Sequence, residues 1–383
     1  MRIAIVHNLP AGGQKRALYE QVKRLAKKHT LDLFTLSSTN ESFLPLKPLV
    51  RSHYTVSYQP ASHFPGSIVS IYQKLPKAYQ ELAEKINQGS YDIAYVNPCY
   101  LTQAPYILRF LTIPSVYYCP EPKREFYESI PRITNKFTYN LTLPFRLPIK
   151  NIDYGSARRA DIILTNSNYS RARIQNIYQK KAFINYLGVD GAVFKPQTKA
   201  KENLVLTVGE LSLHKGHDFL LKAISLIPKK SRPQFIIVGP SGSETEYLIK
   251  LAKDLKVNLR ILNNISDTQL VDWYNKAKVF LYAACFEPFG LSVLEALSCG
   301  TFVLGVNEGG VSEIINNNHL GNLLPRDEKV FSERIKLLLC KQDSQQDRQR
   351  RHIFTKKNWN WEKSVSLLET YFNEKYLYSY TKL

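Results

Sequence analysis

Short apolar runs alternate along the chain with longer stretches in which apolar residues recur at helical spacing. In the first half, the apolar runs cover residues 2–8, 31–38, 91–98, 113–120, 160–167 and 182–190. The stretch from Gln14 to His29 is typical of the segments between these runs, with apolar residues at Leu18, Val22 and Leu25 and basic residues between them. The runs have the length of buried strands and the periodic stretches that of helices. This alternation predicts a parallel sheet covered by helices on both faces.

The same alternation starts again in the second half, with apolar runs at residues 204–211, 233–240, 257–266, 279–285 and 301–306. The polar, proline-bearing segment 191–203 separates the halves, so we place the domain boundary near residue 196. We predict an α/β protein with two Rossmann-like domains, residues 1–195 and 196–355, followed by a charged helix with an aromatic face in residues 356–383. The length of 383 residues also favours two domains.

Residues 279–300, VFLYAACFEPFGLSVLEALSCG, contain the strongest chemical signal in the chain. They predict a strand, a loop at 286–290 and a helix with leucines at 291, 294 and 297. Glu287 lies at the exit of the strand and Glu295 about one turn into the helix. The start of a helix binds anions such as phosphate, whereas a carboxylate accepts protons from hydroxyl groups. The pattern therefore suggests a sugar nucleotide as ligand, and two ordinary surface glutamates are the alternative.

The segment FEPFGLSVLEALSCG resembles the E-x7-E motif of retaining, family 4 type glycosyltransferases of the GT-B fold. Residues 160–174 and LGVD at 187–190 are similar to the end of the N-terminal domain in that family. The resemblance covers nearly the whole chain and is best from about residue 157 to residue 315. It implies two Rossmann-like domains facing across a cleft, the acceptor on the N-terminal domain and the donor on the C-terminal one. The last helix would cross back to the N-terminal domain, with residues 361–371 in that position.

The resemblance also implies roles for single residues. Glu287 would contact the hydroxyl groups of the sugar and Glu295 those of the ribose, while Lys215, in LSLHKGHDF, would neutralise the leaving diphosphate. A fixed cation lowers the barrier because the leaving group gains negative charge in the transition state. Lys215 and Glu287 are the expected catalytic residues. The expected donor-binding residues are Gly12, Gly13, Gly209, Glu210, Lys215, Phe289, Gly290, Leu291 and Glu295.

Two of these assignments have simpler alternatives. A lysine at position 215 is also typical of a solvated loop, and Gly12-Gly13 after the first strand would equally suit a tight turn. His7, at the exit of the same strand, is more typical of a packing or turn residue than of a catalytic one.

Two positions depart from the family pattern. Glu210 stands where the family usually has an arginine, so the charge of a diphosphate would be neutralised by Lys215, helix termini or another basic group. Pro120-Glu121 stands where related sequences often carry a histidine near the sugar. Glu121 and Arg124 are candidates for the acceptor side, and an ordinary ion-paired loop is the alternative.

Charge narrows the choice of partners. The net charge is +20, and residues 1–195 contribute +14 of it, with 26 Lys+Arg against 12 Asp+Glu. Such a basic excess favours an anionic partner, for example a membrane surface, an anionic glycan or a nucleic acid. The basic residues are scattered and form no recognisable nucleic-acid module, so we expect no nucleic acid. The proline-rich and aromatic residues 131–152 are expected to form an apolar surface.

The rest of the composition favours a cytoplasmic protein, peripheral to the inner face of the membrane. No apolar run reaches the roughly 20 residues of a membrane-spanning helix, and MRIAIVHN lacks the apolar core of a signal peptide. The five cysteines show no metal-ligand spacing and no Asp-x-Asp signature stands at a useful place, so we expect neither metal nor cofactor.

These features together lead to one expected function. The chain is expected to transfer a sugar, with retention, from a nucleotide diphosphate sugar to a glycan or lipid-linked acceptor in cell-envelope or polysaccharide biosynthesis. A GT-B binding or regulatory protein with weakened catalysis is the alternative, because of Glu210 and Pro120. The base, sugar, acceptor and linkage do not follow from the sequence.

Overall fold

The computed structural model describes residues 1–61, 63, 65–128 and 136–373, with the backbone alone for residues 136–139. The chain forms two compact units. The first contains Met1–Leu187 and the segment that begins at Trp361, and the second contains Gly188–Asn360. The division precedes the predicted boundary near residue 196, and residues 374–383 of the predicted last helix lie outside the described part.

The first unit is built on a parallel sheet. Its strands are β1 (Arg2–Asn8), β2 (Thr30–Leu36), β3 (Ser52–Val56), β4 (Ile93–Cys99), β5 (Ser115–Tyr118), β6 (Ile162–Thr165) and β7 (Ala182–Ile184). They lie in the order β3-β2-β1-β4-β5-β6-β7, and every pairing is parallel. From β1, the strands that come earlier in this order run to one side and β4 to β7 to the other, so the strand order reverses between β1 and β4. Open α/β sheets bind their ligands at such a switch point.

The helices of the first unit cover both faces of that sheet. They are α1 (Gly13–Leu25), α2 (Gly66–Val69), α3 (Leu75–Gln88), α4 (Arg124–Tyr127), α5 (Lys136–Ala157) and α6 (Asn168–Tyr178), with a π-helical turn at Ser70–Lys74 and 3₁₀ turns at Lys47–Leu49 and Tyr106–Arg109. In α3 the buried residues Leu75, Tyr79, Leu82 and Ile86 recur at helical spacing and pack on the core of the sheet.

Helix α5 contains two prolines, Pro144 and Pro148, and nevertheless runs unbroken through residues 136–157. A proline removes one backbone donor from a helix interior, which leaves a carbonyl to be satisfied elsewhere. In i→i−4 bonding the two prolines remove the donors to the carbonyls of Asn140 and Pro144. Between the prolines, the hydroxyl of Tyr72 donates a hydrogen bond to the carbonyl oxygen of Phe145 at 2.7 Å. The sequence predicts a helix only from residue 153, because prolines usually end a helix.

The second unit repeats the architecture. Its strands are β8 (Glu202–Val208), β9 (Gln234–Val238), β10 (Leu259–Leu262), β11 (Ala277–Tyr282), β12 (Phe302–Val306) and β13 (Gly321–Leu324). They form a parallel sheet in the order β10-β9-β8-β11-β12-β13, whose switch point lies between β8 and β11. The predicted α/β class, with two Rossmann-like units, is confirmed.

The helices of the second unit follow its strands. They are α7 (His217–Ser225), α8 (Thr245–Asp254), α9 (Asp267–Lys276), α10 (Leu291–Ser298), α11 (Val311–Ile314), α12 (Glu328–Cys340) and α13 (Gln345–Asn358), with 3₁₀ turns at Leu213–Lys215 and Lys229–Ser231. Side-chain caps fix several starts; Ser266 and Gln269, for example, form a capping box at α9.

The last helix, α14 (Trp361–Phe372), packs within the first unit. The ring of Phe372 is fully buried and lies 5.4 Å from that of Tyr95, centroid to centroid. Asn185 and Ser364 exchange two hydrogen bonds of 2.9 Å each. Buried apolar contacts stabilise such docking more than the exposed ion pairs at its rim, which contribute about 0–1 kcal/mol each.

Among the described residues, no helix combines the length and the apolar character that spanning a bilayer requires.

Candidate active site

Lys215 and Glu287 meet at the C-terminal edge of the second sheet. Their loops follow β8 and β11, the adjacent strands between which the strand order reverses. The Lys215 ammonium donates a hydrogen bond of 2.9 Å to Oε1 of Glu287, and the two side chains are 20% and 26% exposed. A cation and a carboxylate thus lie side by side, within reach of solvent, at the place where such sheets bind ligands.

Two glycines hold Lys215 in this position. The aliphatic part of its side chain lies against Gly209, where an added Cβ would come within 3.3 Å of Lys215 Cδ. Gly216 has a φ of 67°, and a Cβ there would lie 2.3 Å from the carbonyl oxygen of Ala283. The backbone N–H of Cys285 also donates to the carbonyl of His214 at 2.7 Å, which joins the loops after β8 and β11 directly.

Glu287 is held by its side chain and its backbone. Its Oε2 accepts a hydrogen bond of 2.9 Å from the hydroxyl of Tyr282. Its carbonyl oxygen accepts another of 2.9 Å from the N–H of Gly310. Gly309, with a φ of 73°, packs so closely that a Cβ would lie 2.3 Å from the same carbonyl oxygen. The carboxylate is therefore pre-organised before any ligand binds.

The replacement of Gly309 by alanine tests this packing. We expect the variant to lose about 2–3 kcal/mol of stability, because the side chain would meet backbone atoms at a positive φ. The matched control is Gly191→Ala, since a Cβ at Gly191 would meet only the flexible side chain of Lys356, at 3.3 Å or more. Urea-denaturation midpoints of the two variants measure the difference, and equal midpoints would contradict the proposed fit.

The loop of residues 286–290, between β11 and α10, is strained at one residue. Phe286 has a φ of 48°, which is unfavourable for a bulky side chain, and it is 43% exposed. Phe289 is buried and its ring lies 5.6 Å from that of Trp359. Gly290, at a φ of 110°, begins α10 with Leu291 as its first residue. The N–H of Val293 donates to the carbonyl of Gly290 at 3.0 Å. The N–H groups of Leu291 and Ser292, before it, precede the first i→i−4 hydrogen bond of the helix and can bind an anion.

Glu295 lies in the second turn of α10, as predicted, but is only 7% exposed. Its Oε2 accepts a hydrogen bond of 2.9 Å from the hydroxyl of Tyr274, which is itself fully buried. Little of the carboxylate is therefore open to a ligand, and its assignment to ribose hydroxyls stays a prediction.

Glu210 directly follows Gly209 and is exposed. Its carbonyl oxygen has a structural partner, since Nε2 of His217 lies 3.1 Å away. Burial lowers the pKa of His217 to about 4, so its imidazole is neutral and donates from Nε2. The loop after β8 thus combines a negative side chain at Glu210 with the positive one of Lys215.

Arg326 is a cation of this region that the sequence patterns did not single out. Its guanidinium binds both carboxylate oxygens of Glu308, at 2.9 and 2.7 Å, and the carbonyl oxygen of Ala283 at 3.0 Å. It also lies beside Gly216, since a Cβ there would be 3.1 Å from it. Arg326 and Glu308 follow different strands, so their pairing depends on the sheet and not on local spacing.

The corresponding edge of the first unit holds Gly12 and Gly13, which are exposed at the start of α1. A Cβ at Gly12 would meet nothing within 4 Å, so the approach to the backbone is open. The same unit contains a cluster that the sequence did not reveal, in which His7 and Lys15 are buried and Glu41 is partly exposed. The imidazole of His7 lies 3.1 Å from the Glu41 carboxylate, and the Lys15 ammonium also contacts that carboxylate.

The charges in this cluster follow from burial and pairing. Burial lowers the pKa of His7 to about 4, which keeps the imidazole neutral. Although burial opposes its ionisation, hydrogen bonds from His7 and Lys15 lower the pKa of Glu41 to about 2. The cluster is therefore a satisfied Lys15–Glu41 ion pair with a neutral histidine, as suits a packing role for His7.

The two predicted acceptor-side residues, Glu121 and Arg124, pair with each other. Nε of Arg124 lies 2.8 Å from Oε2 of Glu121 and 3.3 Å from Oε1 of Glu128. This is the ion-paired loop that the sequence left as an alternative, and a role in acceptor binding stays a prediction.

Comparisons with known proteins agree with this geometry. Residues 191–357 match the family model of glycosyl transferases group 1. D-inositol 3-phosphate glycosyltransferase 2 of Catenulispora acidiphila is 29% identical over 43% of this chain and 44% of its own length. An N-acetylgalactosaminyltransferase of Campylobacter jejuni, named for a diphospho-undecaprenol-linked acceptor, is 23% identical over 85% of this chain and 86% of its own. The chain spans less than half the length of the curated relatives that it matches at 29–35% identity.

Solved structures extend the likeness to the whole chain. HepE of Anabaena, crystallised with UDP and glucose, superposes with a TM-score of 0.73 over 97% of this chain and 98% of its own, at 16% identity. At that identity the match establishes the fold. Residues 191–357 therefore match the glycosyl transferases group 1 model, and the chain as a whole has the fold of the GT-B glycosyltransferases.

Proposed function

We propose that the protein is a retaining glycosyltransferase that moves a sugar from a nucleotide diphosphate donor to a glycan or lipid-linked acceptor in cell-envelope or polysaccharide biosynthesis. The observation that carries the proposal is the Lys215–Glu287 pair, 2.9 Å apart, at the switch point of the unit that contains the group 1 segment. The names of two similar proteins support the substrate classes: one is a transferase for a lipid-diphosphate-linked acceptor, and the other was crystallised with UDP and glucose.

In this proposal Lys215 stabilises the leaving group. As the bond between the anomeric carbon and the diphosphate oxygen breaks, negative charge accumulates on the diphosphate, and a fixed ammonium lowers the energy of that state. The N–H groups at the start of α10 add a second positive region. These groups take the part that a divalent metal plays in other phosphate chemistry, so we propose that the reaction needs no metal and no cofactor.

Glu287 orients the sugar. Its carboxylate is fixed by Tyr282 and by its own backbone, so it can accept hydrogen bonds from sugar hydroxyls without reorganising. Donor binding would exchange partners: the diphosphate replaces Glu287 beside Lys215, and sugar hydroxyls replace Lys215 beside Glu287. For a retaining transfer, a leaving phosphate oxygen on the same face of the sugar would accept the proton of the acceptor hydroxyl.

The exposed carboxylate of Glu210 favours one alternative, a GT-B scaffold that binds a donor with little turnover. A carboxylate repels a diphosphate, and Glu210 lies in the same loop as Lys215, on which charge neutralisation depends. The two functions are separated by incubating the protein with UDP-, GDP- and ADP-sugars and membrane-extracted acceptors. Nucleotide release above the acceptor-free rate supports the transferase, whereas tight donor binding without release supports the scaffold.

We further propose that the enzyme works at the cytoplasmic face of an anionic membrane. The support lies in the first unit, where α5 exposes apolar side chains: Leu141 is 67%, Phe145 48% and Leu147 47% exposed. The prolines Pro144 and Pro148 are exposed within the same stretch. Large exposed apolar surfaces mark contact sites, and the basic excess of residues 1–195 would attract anionic lipid headgroups.

Vesicle sedimentation tests the membrane proposal. We expect the protein to sediment with vesicles rich in phosphatidylglycerol at low salt and to be released as salt rises through about 0.15–0.5 M, where screening becomes strong. The double variant Leu141→Ser, Leu147→Ser should bind several-fold more weakly. Leu337→Ser is the matched control, because Leu337 is 60% exposed on α12 of the second unit. Equal binding by both variants would contradict the role of α5.

A further inference from the structure

A cavity of about 710 Å³ opens at the N-terminal edge of the second sheet. Lys201 precedes β8, Lys278 lies near the start of β11, and Phe302 begins β12, so the cavity lies at the strand ends opposite to those that carry Lys215 and Glu287. It lies wholly within the second unit. The volume is in the range of small-molecule sites.

The wall of this cavity is cationic. Five of its lining side chains are basic and two are acidic: Lys201, Lys278, Lys341, Arg348 and Arg351 against Asp343 and Asp347. The pairing is incomplete, because Asp343 serves both guanidiniums. It contacts Arg351 closely, while its other oxygen lies 3.5 Å from Nε of Arg348. Oδ2 of Asp343 and Nε of Arg348 are buried, and neither makes a hydrogen bond within the described part of the chain. A net positive wall remains.

Beneath the charged groups the floor is apolar, with Val279, Phe302 and Leu338. The guanidinium of Arg351 lies 5.8 Å from the centre of the Phe302 ring, so the cationic and apolar regions adjoin. Helix α13 begins at the rim, and its positive end adds to the cationic field. A ligand that suits both regions carries an anionic group together with a flat or apolar body.

Lys201 is the most perturbed of these cations. Its ammonium donates to Oγ1 of Thr301 at 3.2 Å and to the carbonyl of Tyr274 at 3.4 Å, with no carboxylate among these partners. Burial lowers its pKa to about 7; Arg348 and Arg351 add to the shift, and Asp343 and the Cys299 thiol oppose it. An anion placed between Lys201 and the two guanidiniums would relieve this repulsion and favour the charged ammonium.

We propose that this cavity is a second ligand site, separate from the sugar-nucleotide site, which binds an organic phosphate or sulfate ester with a ring-shaped body. The anionic group lies among Lys201, Lys341 and Arg348, and the ring lies on Phe302. Binding takes up a proton at Lys201, because the bound anion stabilises its ammonium form. Affinity therefore falls as the pH rises above about 7.

Cys340 provides a reporter for this site. It lines the cavity and is the exposed one of the five cysteines, while the other four are buried. The rate at which iodoacetamide alkylates the native full-length protein can be followed by intact mass. The probes are phenyl sulfate, which has an anion and a ring, inorganic sulfate, and neutral phenol. We expect phenyl sulfate to slow the alkylation at least several-fold at saturation, inorganic sulfate to do so only at higher concentration, and phenol not to do so.

Substitutions test whether the protection of Cys340 depends on the basic residues of the cavity wall. Lys341→Gln, at an exposed position, should weaken phenyl sulfate protection by about tenfold, whereas Lys336→Gln, which removes the same charge from an exposed position of α12 outside the cavity, should not. Phenyl sulfate keeps one charge between pH 6.5 and 8.5, so a pH dependence belongs to the protein. Half-protection should need on the order of ten times more ligand at the higher pH, and Lys201→Met should remove that dependence. Absence of protection, or equal effects of both glutamine variants, would overturn the proposal.

Discussion

The replacement of Lys215 by alanine is expected to lower kcat by about 10²- to 10³-fold, equivalent to roughly 3–4 kcal/mol of transition-state stabilisation. The reason is that, in the proposed mechanism, the ammonium lies beside the diphosphate as its bond to the sugar breaks and it gains charge. The substrate carries most of this charge already, so KM for the donor should rise as well. Steady-state kinetics with a donor identified by nucleotide release measure both constants.

A stability measurement distinguishes this loss of catalysis from a loss of folded structure. Lys215 and Glu287 are partly exposed, at 20% and 26%, so their ion pair contributes no more than about 1 kcal/mol to folding. The thermal midpoint of Lys215→Ala should therefore stay close to that of the unmodified protein. Lys222→Ala is the matched control, because Lys222 pairs with Asp218 one helix turn away on α7 and lies outside the site. A Lys215→Ala variant with unchanged kcat would refute the assigned role.

The replacement of Glu287 by glutamine is expected to lower kcat/KM by about 10- to 100-fold. The amide keeps the shape of the side chain and can still accept a hydrogen bond from Lys215, but it loses the charge-assisted hydrogen bonds to sugar hydroxyls, which are worth about 1.5–3 kcal/mol. The fold should be unaffected, since the Tyr282 hydroxyl keeps a partner.

The control for Glu287 is Glu333→Gln, on the exposed side of α12. It removes the same charge from the same unit without touching the site. If the two glutamine variants behaved alike, or if Glu287→Gln lost activity only through a lower thermal midpoint, the carboxylate would have no direct part in transfer.

Local patterns were sufficient for much of this site. The strand, loop and helix of residues 279–300 follow from hydrophobic periodicity, and α10 begins at Leu291 where the leucine spacing predicted a helix. The alternation of runs also predicted parallel sheets in both halves. In these places the type of element depends on the spacing of buried residues that are close in sequence. The sequence pattern is therefore enough to predict it.

The contacts between distant segments could not be predicted in the same way. Lys215 and Glu287 meet because β8 and β11 are adjacent in the sheet. Arg326 contacts Glu308 because β12 and β13 are also adjacent. The burial of Glu295 against Tyr274 depends on how α9 and α10 pack on one sheet. No spacing along the chain encodes such distances.

The prolines of α5 led to a different kind of error in the predicted secondary structure. A proline inside a helix costs roughly 3 kcal/mol in isolation, so residues 136–152 were not predicted as helical. In the structure, Ile149 and Ile152 of α5 are buried, and Tyr72 bonds the carbonyl of Phe145. Tertiary packing of this kind can outweigh a local penalty of that size.

The proposed mechanism requires the diphosphate of a sugar nucleotide to bind beside Lys215 and Glu287. A crystal structure of the protein with UDP, or with the donor identified by turnover, measures this directly. We expect a phosphate oxygen within about 3 Å of Lys215 Nζ, with the Lys215–Glu287 hydrogen bond broken or lengthened and the diphosphate facing the start of α10. A nucleotide bound elsewhere on the second unit, with that 2.9 Å hydrogen bond intact, would contradict the mechanism.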